Sequence, residues 1–271
     1  MRNLTATLCL TLTLLLGSAG VSASADYQKG LTAFLSGDYA TALREWKPLA
    51  EQGNVRAQYN LGAMYEKGQG VLQDDKTAMK WTRLAAKQGH AIAQSNLGFM
   101  YDKGRGVSQD HKTAVKWTRL AAEQGNANAQ SNLGVMYRNG RGVPQDDKTA
   151  VKWTRLSAEQ GHASAQSNLG LMYSNGQGVP QNPGTAVKWY RLAAEQGDAN
   201  AQFNLGAMYA FGAGVQKDYV YAHMWGNLAT SNGNENGAKL QDLVVKQMTP
   251  ADISTAQKLA RECVRKKYKG C

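Results

Sequence analysis

Ala129-Gln-Ser-Asn-Leu133-Gly134-Val-Met-Tyr137-Arg-Asn-Gly140-Arg-Gly142-Val-Pro-Gln-Asp146, followed by Ala150-Val-Lys-Trp153, decides the fold of this chain. Ala129, Leu133, Met136 and Tyr137 fall at i, i+4, i+7 and i+8, the apolar stripe of one helix. Gly140-Arg141-Gly142 ends that helix, because glycine accepts the left-handed backbone of a C-terminal cap. Pro144 and the Asp146-Asp147 pair then favour the start of a second helix, through side-chain capping and the positive end of the helix dipole. Ala150, Trp153 and Ser157 share one side of this second helix, and Gly161 stops it. Gly134 and the alanines opposite predict a close helix–helix approach. One such pair cannot bury its apolar faces alone, so pairs must stack.

The pattern returns with a fixed period. Trp81, Trp117, Trp153, Trp189 and Trp225 are each 36 residues apart. So are Gly53, Gly89, Gly125, Gly161 and Gly197, and Gln58, Gln94, Gln130, Gln166 and Gln202. Residues 53–232 therefore divide into five repeats (53–88, 89–124, 125–160, 161–196 and 197–232) with no insertion or deletion. In the fifth, Lys188 and Arg191 of the preceding repeat become Met224 and Asn227, which predicts the end of the stack. Residues 233–271 read as a C-terminal cap of two helices. Thr249-Pro250-Ala251-Asp252 opens the second of these, with a capping residue, proline at the first helical position and an acid that reaches back.

The quoted run resembles the Sel-1-like repeat, a relative of the tetratricopeptide repeat, and the match recurs five times. Gly37-Asp38-Tyr39-Ala40-Thr41-Ala42-Leu43-Arg44-Glu45-Trp46 resembles the second half of one more repeat, so residues 26–52 are expected to be an N-terminal cap made from a half repeat. The resemblance implies an all-α solenoid, a right-handed superhelix of stacked helix-turn-helix repeats. It also implies a scaffold, a regulator of envelope complexes, a host-interaction factor or an immunity partner of a secreted toxin.

The N-terminus and the cysteines bear on the compartment. Arg2 precedes a short apolar run, Leu8–Leu16, and Ala23-Ser24-Ala25 gives the small-x-small pattern cut by a signal peptidase. A membrane anchor is the competing reading, but the run falls well short of the ~20 apolar residues a bilayer span requires. Cys9 lacks the small preceding residue expected of a lipid-attachment site. Residues 1–25 are therefore expected to be a cleaved signal peptide, with the mature chain in the periplasm or secreted. Cleavage would remove one basic residue, Arg2, from the 31 Lys+Arg that stand against 20 Asp+Glu. Lys239–Cys271 holds eight Lys/Arg and three Asp/Glu, so it reads as a solvated basic face or as a segment weakly drawn to acidic surfaces. After cleavage only Cys263 and Cys271 remain, and in an oxidising compartment such a pair reads as a disulfide.

The chemistry-bearing residues form no catalytic constellation. Ser-x-x-Lys, Gly-x-Ser-x-Gly, His-Glu-x-x-His, Cys-x-x-Cys and the phosphate-binding Gly-x-x-x-x-Gly-Lys are all missing. Gly104-Arg105-Gly106 and its counterparts read as turns between helices. His90 and His162 occupy a position that is Asn126 or Asp198 elsewhere, and His111 replaces Asp75 and Asp147 near a helix start. No histidine stands at ligand spacing from a second histidine or a cysteine, so neither a metal nor another cofactor is expected. An enzymatic alternative comes from the family's disulfide-rich branch, linked to β-lactam binding and hydrolysis. Cys263 and Cys271 keep that branch's spacing once, outside the repeats.

Two faces remain as binding candidates. Lys80/Arg83, Lys116/Arg119, Lys152/Arg155 and Lys188/Arg191 form a ladder on the second helices, read either as a solvated outer face or as an anion-binding stripe. On the first helices, Asn128, Ser131, Asn132, Val135, Arg138 and Asn139 lie opposite the buried stripe. The matching positions in the tetratricopeptide class line a concave groove. Asn60, Asn96, Asn132, Asn168 and Asn204 form an amide ladder there, beside Ala63, Phe99, Val135, Leu171 and Ala207. Asn96, Phe99, Asn128, Ser131, Asn132, Val135, Arg138, Ser167, Asn168 and Leu171 are the expected contacts to a partner protein. In the competing reading, Phe99 and Leu171 pack between neighbouring pairs. Nucleic acid is not expected in an exported chain that carries no nucleic-acid-binding motif.

Overall fold

The computed structural model describes residues 25–271, so residues 1–24 of the expected signal peptide lie outside the described residues. The described chain is helical throughout, with no strand. Two helices, α1 (Tyr27–Leu35) and α2 (Tyr39–Glu51), precede the repeats. The repeats supply α3 (Val55–Lys67), α4 (Asp75–Lys87), α5 (Ala91–Lys103), α6 (His111–Glu123), α7 (Ala127–Asn139) and α8 (Asp147–Glu159). They continue with α9 (Ala163–Asn175), α10 (Pro183–Ala194), α11 (Ala199–Phe211) and α12 (Tyr219–Ser231). The C-terminal helices α13 (Asn236–Val245) and α14 (Pro250–Arg265) close the chain.

Local chemistry sets each helix boundary. In the third repeat, the Asn126 side chain caps α7 by accepting from Ala129 N at 2.9 Å. Gly140 ends α7 in the left-handed region, at φ +64°. Asp146 then caps α8, accepting from Thr149 N at 3.0 Å and from the Thr149 hydroxyl at 2.6 Å. Those two bonds hold the Asp146 carboxyl below its ordinary pKa, the side-chain bond most strongly. The expected capping box at Thr249 and Asp252 forms at the start of α14.

The core lies between repeats. Ala114, Val115, Ala121 and Ala122 of α6 pack with Ala129, Leu133 and Met136 of α7 in the next repeat. The α4–α5 and α8–α9 boundaries are built the same way. Burying Leu133 at such a boundary contributes about 1.5–3 kcal/mol, which the repeat could not obtain alone. Within a repeat the two helices meet closely at a glycine. A Cβ on Gly134 would run into Thr154 Oγ1 and lie 3.1 Å from Thr154 N and 3.2 Å from the Ala150 carbonyl.

The 36-residue glutamines staple the boundaries. Gln130 Nε2 donates to Ala122 O of the preceding repeat at 3.1 Å, and Gln130 Oε1 accepts from Gln160 at 2.7 Å. Gln58, Gln94, Gln166 and Gln202 make the same pair of bonds, with Asn232 replacing the outer glutamine in the last case. All five are buried, so the bond to the preceding carbonyl is shielded from water, while the outer bond is only part-buried.

The two ends differ from the repeats. Residues 26–52 hold two helices, the nine-residue α1 packing on α2, joined by the short Ser36–Asp38 link. Trp46 anchors the pair, buried against Tyr27 and Phe34, with its indole N–H donating to Tyr27 O at 3.1 Å. At the other end α13 and α14 both pack on α12. Met224, where earlier repeats carry lysine, is buried with Ala260 and Cys263 of α14. The departure of the fifth repeat from the pattern is thus the surface on which the cap sits. Beyond α14 the chain reverses at Lys267 and Tyr268, both with positive φ, as well as at Gly270. Cys263 and Cys271 are thereby brought together, their Cα atoms 5.6 Å apart, within the reach of a disulfide.

Candidate functional site

The first-helix face is built from one helix of each repeat, so its side chains repeat at the stacking distance. Asn128 and Asn132 are exposed, and Asn96, Val135, Arg138, Asn168 and Leu171 are half-buried. Phe99 is 42% exposed. Ser131 and Ser167 correct the expectation, since both are buried and cannot line a groove. They share the register of Tyr59, whose ring stacks on His90 at the start of the next first helix. That register points into the boundary between successive first helices, so the neighbouring repeat covers it. Leu171 packs against the buried cluster of α10–α12, which leaves Phe99 as the open aromatic of this ladder.

Several of the polar side chains already have partners. Arg138 Nη1 donates to Asn168 Oδ1 at 3.2 Å, and His162 Nε2 lies 2.8 Å from Asn128 Oδ1. These bonds tie successive first helices and hold their side chains in place, which lowers the entropy cost of engaging a ligand.

Phe99 stands at the mouth of a hollow of about 200 Å³ between α5 and α7. Asn132 and Met136 form its far wall, with Asp102, Lys103 and Arg141 beside them. The Asp102 side chain is only 5% exposed and has Arg141, Lys103 and His111 around it. Arg141 Nε and His111 Nδ1 each lie 3.1 Å from Oδ1, and Lys103 Nζ lies 3.3 Å from Oδ2. A buried carboxylate is tolerated because the Arg141 and Lys103 cations compensate its lost hydration. An aromatic rim over a charged, ordered floor suits a partner segment with one apolar anchor and polar neighbours.

Sequence reasoning missed Asp102, yet a signal existed. Glu66 and Arg105, like Asp102 and Arg141, stand 39 residues apart, one repeat plus three. Both pairs form ion contacts, Arg105 reaching Glu66 at 3.0 Å and also Asp75 at 3.2 Å. At the next boundary Gln177 replaces the arginine, and the pattern stops.

The histidines take structural positions. His90 and His162 are N-caps, accepting through Nδ1 from Ala93 N at 3.2 Å and Ala165 N at 3.4 Å. Burial and the Arg56 charge push the His90 pKa down. His223 is buried on α12, and burial lowers its pKa as well. Among the described residues no group of three His, Cys, Asp or Glu side chains could hold a metal ion, and no helix is long and apolar enough to cross a membrane.

Stacked helix pairs with an ordered, side-chain-lined first-helix face define an all-α solenoid interaction module. The Sel1 repeat profile matches residues 55–90, 91–126, 127–162, 163–198 and 199–234, and the chain belongs to the Sel1 repeat family. These frames start two residues after the glycine-based count, a shift of phase that leaves the period unchanged. The chain is similar to a Sel1 repeat protein of Oxalobacter formigenes, with 34% identity and a TM-score of 0.76 over 88% of this chain and 99% of that one. It is also similar to a protective antigen of uropathogenic Escherichia coli with an SLR fold, at 28% identity and TM-score 0.44, over 89% and 69% of the two chains. An immunity protein of Pseudomonas aeruginosa matches at 22% identity and TM-score 0.45, over 79% of this chain and 80% of its own. No curated protein matches.

Proposed function

We propose that this chain is an exported adaptor, regulator or immunity-type module that holds a partner protein on its first-helix face, around Phe99 and Asn132. The carrying observation is the exposed Phe99 ring over the ordered Asp102–Arg141 floor. Residues held by their neighbours lose little entropy on binding, and a desolvated aromatic anchor usually carries much of the affinity. Membership of a repeat family whose stacked surfaces serve as binding platforms supports the same reading.

The export part of the proposal rests on Arg2, the Leu8–Leu16 run and Ala23-Ser24-Ala25. Periplasmic oxidation would then keep the Cys263–Cys271 pair bonded and fasten the C-terminal cap. Intact-mass measurement of the exported protein should give a chain that begins at Asp26, two hydrogens lighter than its dithiol form.

The binding test uses the mature protein as bait for its own cell envelope, with Phe99→Asp plus Asn132→Ala as the groove variant. The variant should retain wild-type helicity and melting and lose the captured partner. Lys116→Glu plus Arg119→Glu should keep that partner. A folded groove variant that still captures the same protein would place the contact elsewhere.

A further inference from the structure

The outer face of the second helices carries a stripe that the first-helix groove does not use. Leu120 on α6, Leu156 on α8 and Leu192 on α10 share one register and are 44%, 37% and 46% exposed. One exposed leucine is ordinary, but three at the same register of adjoining repeats set a row of apolar contacts on this face. A lysine lies one turn before each leucine (Lys116, Lys152 and Lys188), and an arginine immediately before it. The arginines are ordered by tyrosines of the following repeat. Arg155 and Arg191 donate to the hydroxyls of Tyr173 and Tyr209, both at 2.7 Å, and Arg119 donates to Tyr137. Open hollows lie alongside, one of about 480 Å³ bounded by Leu120 and Val143, another of about 690 Å³ bounded by Leu192 and Gly214.

The chain itself shows how this register is closed. In α12 the lysine and leucine positions are Met224 and Leu228, and both are buried. They join Ala260 and Cys263 of α14 in a single cluster. An amphipathic helix laid against these two positions is therefore a packing the scaffold already makes. Against Met224 the covering helix is apolar. Against Lys116, Lys152 and Lys188 it would need carboxylates beside its apolar ridge, because an uncompensated lysine cannot be covered without cost.

We propose that the outer face of α6, α8 and α10 docks an acidic amphipathic helix of a partner protein. The second helices of successive repeats pack on the first helices between them more than on one another, so they are set at least a helix diameter apart, ~10 Å, and a helix rises ~1.5 Å per residue. The occupant's apolar contacts then recur about every seven residues, with Asp or Glu flanking each one. This surface lies on different helices from the groove, and its occupancy does not depend on what the groove holds.

The probe is a fluorescein-labelled peptide of about 21 residues, alanine-based, with three leucines seven apart and glutamates beside them. Its anisotropy is followed with the full mature chain. The peptide should bind, and binding should weaken about tenfold or more between about 0.05 and 0.5 M NaCl. A version with lysine for glutamate should not bind. Leu120→Ser plus Leu156→Ser should abolish binding, while Phe99→Asp, on the other face, should leave it unchanged. Should the leucine variant lose its fold, Lys116→Glu plus Lys152→Glu, which alters exposed side chains only, gives the same readout. The proposal is overturned if the wild type ignores the acidic peptide, if the lysine peptide binds equally well, or if the folded leucine variant binds as before. It is also overturned if phosphatidylglycerol vesicles bind this face and the peptide does not displace them, which would make it a membrane contact.

Discussion

Replacing Gln130 with leucine tests whether the buried glutamines hold the stack together. The change keeps the volume and removes two hydrogen bonds, one to Ala122 O and one from Gln160. Neither partner is fully orphaned. Ala122 O keeps Gly125 N at 3.0 Å, and Gln160 is exposed enough to turn to water. The loss is then the net value of one buried and one part-buried bond, about 1–3 kcal/mol, without the added penalty of a stranded group. Gln130→Glu should cost more, about 3–5 kcal/mol, because it sets a carboxylate against the Ala122 carbonyl inside the boundary. A double-mutant cycle with Gln160→Ala should return a coupling of about 0.5–1.5 kcal/mol. Because the stack is quasi-one-dimensional, the weakened boundary should open first. Urea unfolding by circular dichroism, with hydrogen exchange on α6 and α7, reads both effects. If Gln130→Leu is neutral or stabilising, the glutamines are only passengers of the repeat, and the apolar clusters alone hold the boundary.

Gly134→Ala should destabilise by about 1–3 kcal/mol, since the new methyl meets Thr154, and adding Thr154→Ala should relieve only part, because the backbone contacts at 3.1 and 3.2 Å remain. His90 has a folded pKa below its ordinary 6.5, so the unfolded chain takes up the proton first as pH falls. Its stabilising contribution is present above that value and is lost as pH drops through it; His90→Asn should therefore flatten the fall in urea midpoint between about pH 7.5 and pH 5.5, leaving the part due to buried His223. Met224→Lys restores the ladder residue beneath α14, where its stem is buried in the apolar cluster and Glu262, already shared with Arg265, is the carboxylate lining the same hollow. Faster amide exchange in α14, with α5–α8 unchanged, is the expected result, at a cost of about 2–5 kcal/mol to the cap.

The order and ends of the helices were legible in the sequence because short-range chemistry decides them. Glycine in the left-handed caps, Asp or Asn at the N-caps and apolar spacing at helical period act within a few residues. The 36-residue recurrence then implied stacking, since no single pair covers its own apolar face. The same reading placed the end of the stack at Met224 and Asn227, where the ladder chemistry changes. Only the tertiary structure decided which polar positions face water. Asn132 and Ser131 are neighbours in sequence, yet one is exposed and the other is buried under the next repeat. Helix periodicity gives a residue's angle about its own axis, whereas exposure also depends on where the next helix lies. For the same reason Asp102 became visible as a charged floor only when Arg141 and His111 were brought to it from other segments. The outer leucines became a row of apolar contacts only when the repeats were set side by side.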